Sequence, residues 1–137
     1  MRAPSSGNGM NPLAYRVSAD MQRARILTGS DDLEVAAKQF EAWGCPEVVI
    51  TRADGVLARV GHRTYFEPFT NRSVVGRTGR GDTTFAGYMA WRLAHGPAES
   101  LKFAAALVSI KMESRGPFAG TLDDVLARMG GVGRKQL

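Results

Sequence analysis

Residues 76–84 read Gly-Arg-Thr-Gly-Arg-Gly-Asp-Thr-Thr and run straight into an apolar-periodic segment that begins at Phe85. Three glycines within residues 76–81 let the backbone approach a ligand closely. The unpaired N–H groups and positive dipole end of the helix that follows form an anion site. The stretch nearly spells the phosphate-binding loop G-x-x-x-x-G-K-[ST], with Asp82 where the lysine would stand. That change reverses the charge. A carboxylate does not clamp a phosphate, but it accepts a proton from a hydroxyl while neighbouring amides hold phosphoryl oxygens. Glycine amides and an acid at a helix start therefore point to phosphoryl transfer to an alcohol. Read purely locally, Asp82 is also an ordinary first-turn residue, and Gly79 and Gly81 also suit a plain tight turn.

The elements that must position this junction follow from periodicity. Residues 1–12 read as a flexible leader. Leu13 to Val17 reads as a short strand, and a helix is expected over about 20–27, closed by Thr28-Gly29. Ser30 or Asp31 caps the next helix, in which Leu33, Ala36, Ala37, Phe40 and Trp43 share one face. Gly44 ends it. Glu47 to Thr51 is a short β-branched run suited to a buried parallel sheet. Asp54-Gly55 is a turn, and Val56–Val60 with Arg63–Phe69 form a hairpin through Gly61-His62, with Pro68 marking an edge or an end. Three helices come next. The first turns Phe85, Met89 and Leu93 inward, reinforced by Ala86 and Ala90, and stops at His95-Gly96-Pro97. The second is striped by Leu101, Ala104, Ala105, Val108 and Met112. The third is capped by Thr121 and Asp124, with Leu122, Val125, Leu126 and Met129 inward, and ends at Gly130-Gly131. Residues 130–137 read as a basic flexible tail. Strands alternating with helices predict an α/β fold with a helix-covered sheet.

Composition bounds the rest. At 137 residues the chain is one domain at most, and 44% hydrophobic residues with evenly spread charge describe an ordinary globular chain. No apolar run approaches the roughly 20 residues of a membrane span, and the leader lacks a signal-peptide core; both point to a cytoplasmic protein. Cys45 stands alone, so no internal disulfide and no cysteine metal cage forms. His62 and His95 sit in turns without partner ligands at metal spacing. The Asn71-Arg72-Ser73 sequon has no meaning without secretion. The net charge of +5 gathers partly at Arg72, Arg77 and Arg80, which suits phosphate. No basic run interleaved with aromatics supports a nucleic-acid surface.

Thr78-Gly79-Arg80-Gly81-Asp82-Thr83, with Ala86-Gly87 behind it, resembles the C-terminal signature of the ribokinase-like (PfkB-type) carbohydrate kinases, usually T-G-A-G-D-[TS]-F-x-A-G; Arg80 stands at the alanine. Leu27-Thr28-Gly29, Trp43-Gly44-Cys45-Pro46, Glu47 to Thr51, Asp54-Gly55-Val56, Ala104 to Ala106 and Arg115-Gly116-Pro117 follow the family's order, so the resemblance runs over roughly residues 17–128. It implies the C-terminal half of a three-layer α/β/α ribokinase-like, Rossmann-like domain. It further implies Gly79, Arg80, Gly81 and Asp82 as the anion hole, Asp82 as catalytic base, and ATP with Mg2+ as donor and cofactor. The acceptor would be a hydroxyl of a sugar or polyol.

Thr51, Arg52 and Gly55 follow the family's nucleotide-bordering T-x-G-x-x-G segment, with Ala53 replacing its first glycine, and Val108, Ser109 and Met112 are candidates for an adenine pocket. Asp20 to Arg23 occupies the place of an N-x-x-E motif that organises magnesium, and Arg23 stands at its acid, so no metal ligand is assigned. Relatives are about twice as long. A half-domain would expose a sheet edge suited to pairing with another chain or copy, and a gene fragment, a split half and a mis-called start remain open. Two functions stand: a carbohydrate kinase, and a non-catalytic nucleotide-binding or regulatory remnant of one. A basic nucleic-acid binder is the third and weakest.

Overall fold

The structure is a computed structural model and describes residues 16–74, 79–115 and 118–133. The order of elements is β1 (Arg16–Asp20), α1 (Met21–Thr28), α2 (Leu33–Ala42), β2 (Glu47–Arg52), β3 (Gly55–Val60), β4 (Arg63–Pro68), α3 (Arg80–Arg92), α4 (Pro97–Met112) and α5 (Leu122–Gly133). The sheet order is β1-β2-β3-β4. β1 and β2 are parallel, which requires a crossover, and α1 and α2 supply it across one face. β2, β3 and β4 form an antiparallel meander. At the β3–β4 turn Gly61 and His62 have φ of 57° and 65°. Positive values at both central residues are what a two-residue type I′ hairpin demands.

The alternation of side chains along a strand divides the core between two helical layers. Val48, Ile50 and Leu57 point to one side, against Ala24 of α1 and Leu33, Ala36, Ala37 and Phe40 of α2. Val49, Val56 and Ala58 point to the other, against Tyr88 of α3 and Leu101, Ala104 and Ala105 of α4. α5 packs on α4 through Val125, Phe103 and Ala106. The result is the helix–sheet–helix sandwich expected from the sequence. Charged links tie the layers: Glu41 on α2 accepts from Arg59 Nε (3.0 Å) and from the His62 amide (3.2 Å). Burial alone would raise the Glu41 pKa, but Arg59 and His62 beside it hold it below the ordinary carboxylate value.

Several local expectations differ from what is observed. The N-cap of α2 is Asp32, which accepts from the Val35 amide, while Ser30 accepts from the Asp32 amide instead. Trp43 lies at the C-cap, past the last helical residue Ala42; it leaves the apolar face and is 49% exposed. The buried face of α3 is Thr84, Gly87 and Tyr88, whereas Ala86, Ala90 and Leu93 are exposed and Phe85 and Met89 half-buried. Two contacts reverse the apolar reading: Gly87 sits at the close crossing with α4, and the Tyr88 hydroxyl finds a buried carboxylate in Glu47. On α5 Val125 is buried but Leu122 and Leu126 are exposed. The helix also continues through Gly130 and Gly131 to Gly133, since a helical glycine costs only about 1 kcal/mol. The Thr121–Asp124 capping box is present in both directions, at 2.9 and 3.1 Å. The expected leader, the start of the first strand before residue 16 and the last four residues lie outside the described residues.

A Cβ built on Gly87 would stand 2.7 Å from Leu107 Cδ2 and 3.6 Å from Ala104 Cα on α4. Gly87→Val is therefore expected to lower the unfolding free energy by about 1–3 kcal/mol through overpacking. Ala86→Val, one residue away and exposed, should stay within about 0.5 kcal/mol of the parent. Urea titrations of the two variants check the crossing, and equal midpoints would refute it.

Candidate active site

In an open α/β sheet, ligands bind beyond the carboxyl ends of parallel strands. Here those ends are Asp20 of β1 and Thr51 and Arg52 of β2, with Asp20 and Thr51 in register. The N-terminus of α3 is brought against them. Glu47, Val49 and Thr51 occupy alternate positions on β2 and face the α3–α4 layer. Near the strand start, buried Glu47 is bonded by the Tyr88 hydroxyl and by Arg92 Nε at 3.0 Å. Near the strand end, Thr51 Oγ1 lies 3.7 Å from where a Cβ on Gly81 would be. α3 thus runs back along β2, pinned at its last turns, with its first turn delivered to Thr51. Burial, and then the Glu47 carboxylate, push the Tyr88 phenol pKa well above its ordinary value, so it remains a donor.

The first turn of α3 begins at Gly79, with φ 82° and no side-chain cap. The left-handed conformation favours glycine at this position. The Gly79 carbonyl accepts from Thr83 N at 2.9 Å, which leaves the first-turn amides as the orphan donors of a helix start. Thr84, at the phenylalanine position of the family motif, is fully buried and bonds the Arg80 carbonyl at 2.7 Å, which stiffens the turn. Together Asp20, Thr51, Gly79, Arg80 and Gly81 line an open cleft of about 340 Å3.

Thr51 is 1% exposed, and its hydroxyl is a buried polar side-chain atom with no hydrogen-bond partner among the described residues. Native structures rarely strand a hydroxyl in this way. An oxygen-rich ligand in the cleft would satisfy it.

The residues singled out in the sequence are placed as follows. Gly79, Arg80, Gly81 and Thr51 converge on the cleft. Asp82 is exposed in the first turn of α3, beside the cleft lining but not part of it. Arg52 leaves the strand end to pair with Asp54 at 2.6 Å and to lie 5.7 Å over the Phe66 ring. Gly55 opens β3, where a Cβ would stand 2.7 Å from the Glu67 carbonyl on β4. Ser109 is buried, donates to the Ala105 carbonyl (2.6 Å) and accepts from the Thr70 amide (2.8 Å); Met112 is 1% exposed, and neither lines the cleft. Asp20 does line it, although the sequence singled it out only as part of a motif place. The signal was its position at the strand end, and its carboxylate caps α1 by accepting from Arg23 N at 2.8 Å. No cluster of three or more His, Cys, Asp or Glu that could hold a metal occurs among the described residues. His62 and His95 are exposed; His62 pairs with Glu41 and His95 stacks on Trp91.

The family model described as pfkB family carbohydrate kinase matches residues 10–123. The chain belongs to this family of carbohydrate kinases. A cytidine kinase of Thermococcus kodakarensis is 36% identical over 72 residues, which cover 50% of this chain and 26% of that protein. Among solved structures, a pyrophosphate-dependent myo-inositol-1 kinase converted by mutation into a myo-inositol-3 kinase is similar with a TM-score of 0.74 and 32% identity. It covers 85% of this chain and 42% of its own. Arabidopsis thaliana ribokinase, complexed with ribose and ATP, shares the fold at a TM-score of 0.73 and 22% identity over 83% of this chain and 40% of its own. The carbohydrate-kinase chain therefore spans less than half the length of these relatives. No helix among the described residues is long and apolar enough to cross a membrane.

Thr51→Val removes the stranded hydroxyl and keeps the side-chain shape. The ligand-free variant is expected to be as stable as the parent or more stable, by up to about 1–3 kcal/mol. Added inorganic phosphate, by contrast, should stabilise the parent more than the variant. Urea unfolding with and without phosphate reads both effects. A less stable variant with undiminished phosphate stabilisation would show that the hydroxyl is a structural bond and not a ligand group.

Proposed function

We propose that this member of the family transfers a phosphoryl group from ATP to a hydroxyl of a sugar or sugar-like alcohol. The observation that carries the reading is the uncapped first turn of α3 meeting the buried, unpartnered Thr51 hydroxyl in one cleft. In this reading the Gly79–Gly81 amides and the Thr51 hydroxyl hold phosphoryl oxygens, and the helix dipole favours the charge they carry. Arg80 adds a fixed cation. Asp82, exposed at the rim, accepts the acceptor's hydroxyl proton from the solvent side, which requires an approach of roughly 2.6–3.2 Å. Gly55 and the Arg52–Asp54 pair border the donor beyond the strand end, while Ser109 and Met112 act from behind it by holding the packing of α4. Magnesium neutralises phosphate charge when it accompanies ATP. Asp20 is the cleft's carboxylate, and with Arg23 at the usual acidic position the ion would arrive with the donor and not on a protein cage.

The acceptor pocket is expected to be completed by further polypeptide. β1 is an edge strand, and the outward face of α3 from Asp82 through Ala86 and Ala90 to Leu93 is exposed. A partner strand on β1 would bring its side chains to the rim where Asp82 stands. The second reading, a nucleotide-binding remnant without turnover, is favoured by one observation: Arg23, which replaces the motif's acid, is exposed on α1.

Asp82→Asn separates the two readings. Turnover, followed as ADP release over a panel of sugars, polyols and nucleosides, should fall by roughly 10²–10⁴-fold, the contribution of a positioned general base. ATP affinity by calorimetry should stay unchanged or improve, because a negative charge beside the phosphates is lost. Binding without turnover in the parent protein, alone and extended upstream, would establish the remnant.

A further inference from the structure

Two side chains of α3 reach the sheet at one carboxylate oxygen. Glu47 Oε2 accepts from the Tyr88 hydroxyl and from Arg92 Nε at 3.0 Å. Glu47 and Tyr88 are both buried, so breaking either bond strands a buried polar group. Thr84, also buried on this helix, spends its hydroxyl on the Arg80 carbonyl of its own first turn.

The two donors act as a ruler. α3 and β2 run in opposite directions, and a helical rise of about 1.5 Å per residue places Tyr88 and Arg92 roughly 10 and 16 Å along the axis from Gly81. At strand rise, Glu47 lies about 13 Å from Thr51. The carboxylate therefore sits between its two donors when Gly81 stands opposite Thr51. Sliding α3 either way along β2 lengthens one of the two bonds. Packing on α4 does not set this register in the same way: Gly87 meets Leu107 and Ala104 there, and apolar contacts lack direction. At the strand end the contact is loose. A Cβ on Gly81 would stand 3.7 Å from Thr51 Oγ1, and that hydroxyl has no partner among the described residues.

We infer that Glu47, through Tyr88 and Arg92, is a positioning residue for the cleft: it sets the register in which the first turn of α3 meets Thr51, without itself touching a ligand. The inference rests on the phosphate-binding reading of the cleft and assigns residues that act on it from outside. A displacement of about 1 Å is enough to spoil groups that must contact one ligand together.

The test is ATP calorimetry on the whole chain, at a temperature where circular dichroism shows each variant folded. Tyr88→Phe keeps the ring and removes one of the two bonds. It should weaken ATP by about tenfold, and Glu47→Gln should act in the same direction. Thr51→Val supplies the readout that a merely stabilising role leaves unmoved. In the parent it should weaken ATP by at least about threefold, and in the Tyr88→Phe background, where the hydroxyl no longer meets the turn, by less than about twofold. Arg92→Gln, at the half-buried donor, carries the same cycle if Tyr88→Phe does not fold. Undiminished ATP affinity in the folded donor variant overturns the inference, however much stability is lost. An equal effect of Thr51→Val in the two backgrounds overturns it as well. Neither result touches ATP binding by the parent. Failure of the parent to bind ATP overturns the phosphate-binding reading and this inference together.

Discussion

The structure depends on one strand being buried on both faces while carrying polar side chains on one of them. β2 alternates Val48 and Ile50 toward the α1–α2 layer with Glu47, Val49 and Thr51 toward the α3–α4 layer. A buried carboxylate without partners is too costly to keep, so the position of Glu47 dictates what α3 must offer. It offers the Tyr88 hydroxyl and the Arg92 guanidinium. Burial works against the charge on Arg92, yet Glu47 beside it holds its pKa above the ordinary value. Once those bonds fix the end of α3 at the strand start, the rigidity of both elements carries its first turn to the strand end. There Thr51 occupies the same face four residues further on, at roughly 3.3 Å per residue. The site geometry is thus set from the opposite end of the helix.

A second constraint acts on the chain that follows β4. The segment after β4 is held on α4 and α5: the Thr70 amide donates to Ser109, and the Arg72 amide donates to Glu113 Oε2 at 2.8 Å. Arg128 of α5 completes this arrangement by donating to both Glu113 oxygens at 3.0 and 3.1 Å. The Arg128 guanidinium, chiefly, holds the Glu113 pKa below its ordinary value against the opposing effect of burial. Bidentate pairs of this kind fix orientation as well as distance. Glu47 therefore holds α3 against the sheet, and Glu113 holds the segment that follows β4. Neither touches the cleft.

The turn at the start of α3 keeps glycine where a left-handed backbone is required, at Gly79, and at Gly81, where the helix faces Thr51. The residue between them is Arg80, which lines the cleft. The match to the family covers residues 10–123, and the chain covers 42% of a 32%-identical kinase of known structure.

Much of the fold was legible in the sequence because it rests on local signals. The glycine turn running into a helix, the capping box at Thr121, the Gly61-His62 hairpin and the apolar stripe of α4 each depend on residues a few positions apart. The motif at residues 78–83 likewise marked the glycine turn from which α3 starts at Gly79 and Arg80. What the sequence left undecided depended on contacts across the sheet. Periodicity assigned Ala86, Ala90 and Leu93 to the core, because apolar residues were counted and tyrosine and threonine were not. The tertiary structure buries Thr84, Gly87 and Tyr88 instead, since Glu47, 41 positions away, supplies the tyrosine with its partner. Tertiary contacts also occupied the hydroxyl of Ser109 and left that of Thr51 bare. The sequence determined which residues could bind a phosphate, through residue type and helix position. The packing of α3 against β2 decided which of them share a cleft, because whether a hydroxyl is spent inside the protein depends on which groups the fold brings within reach of it.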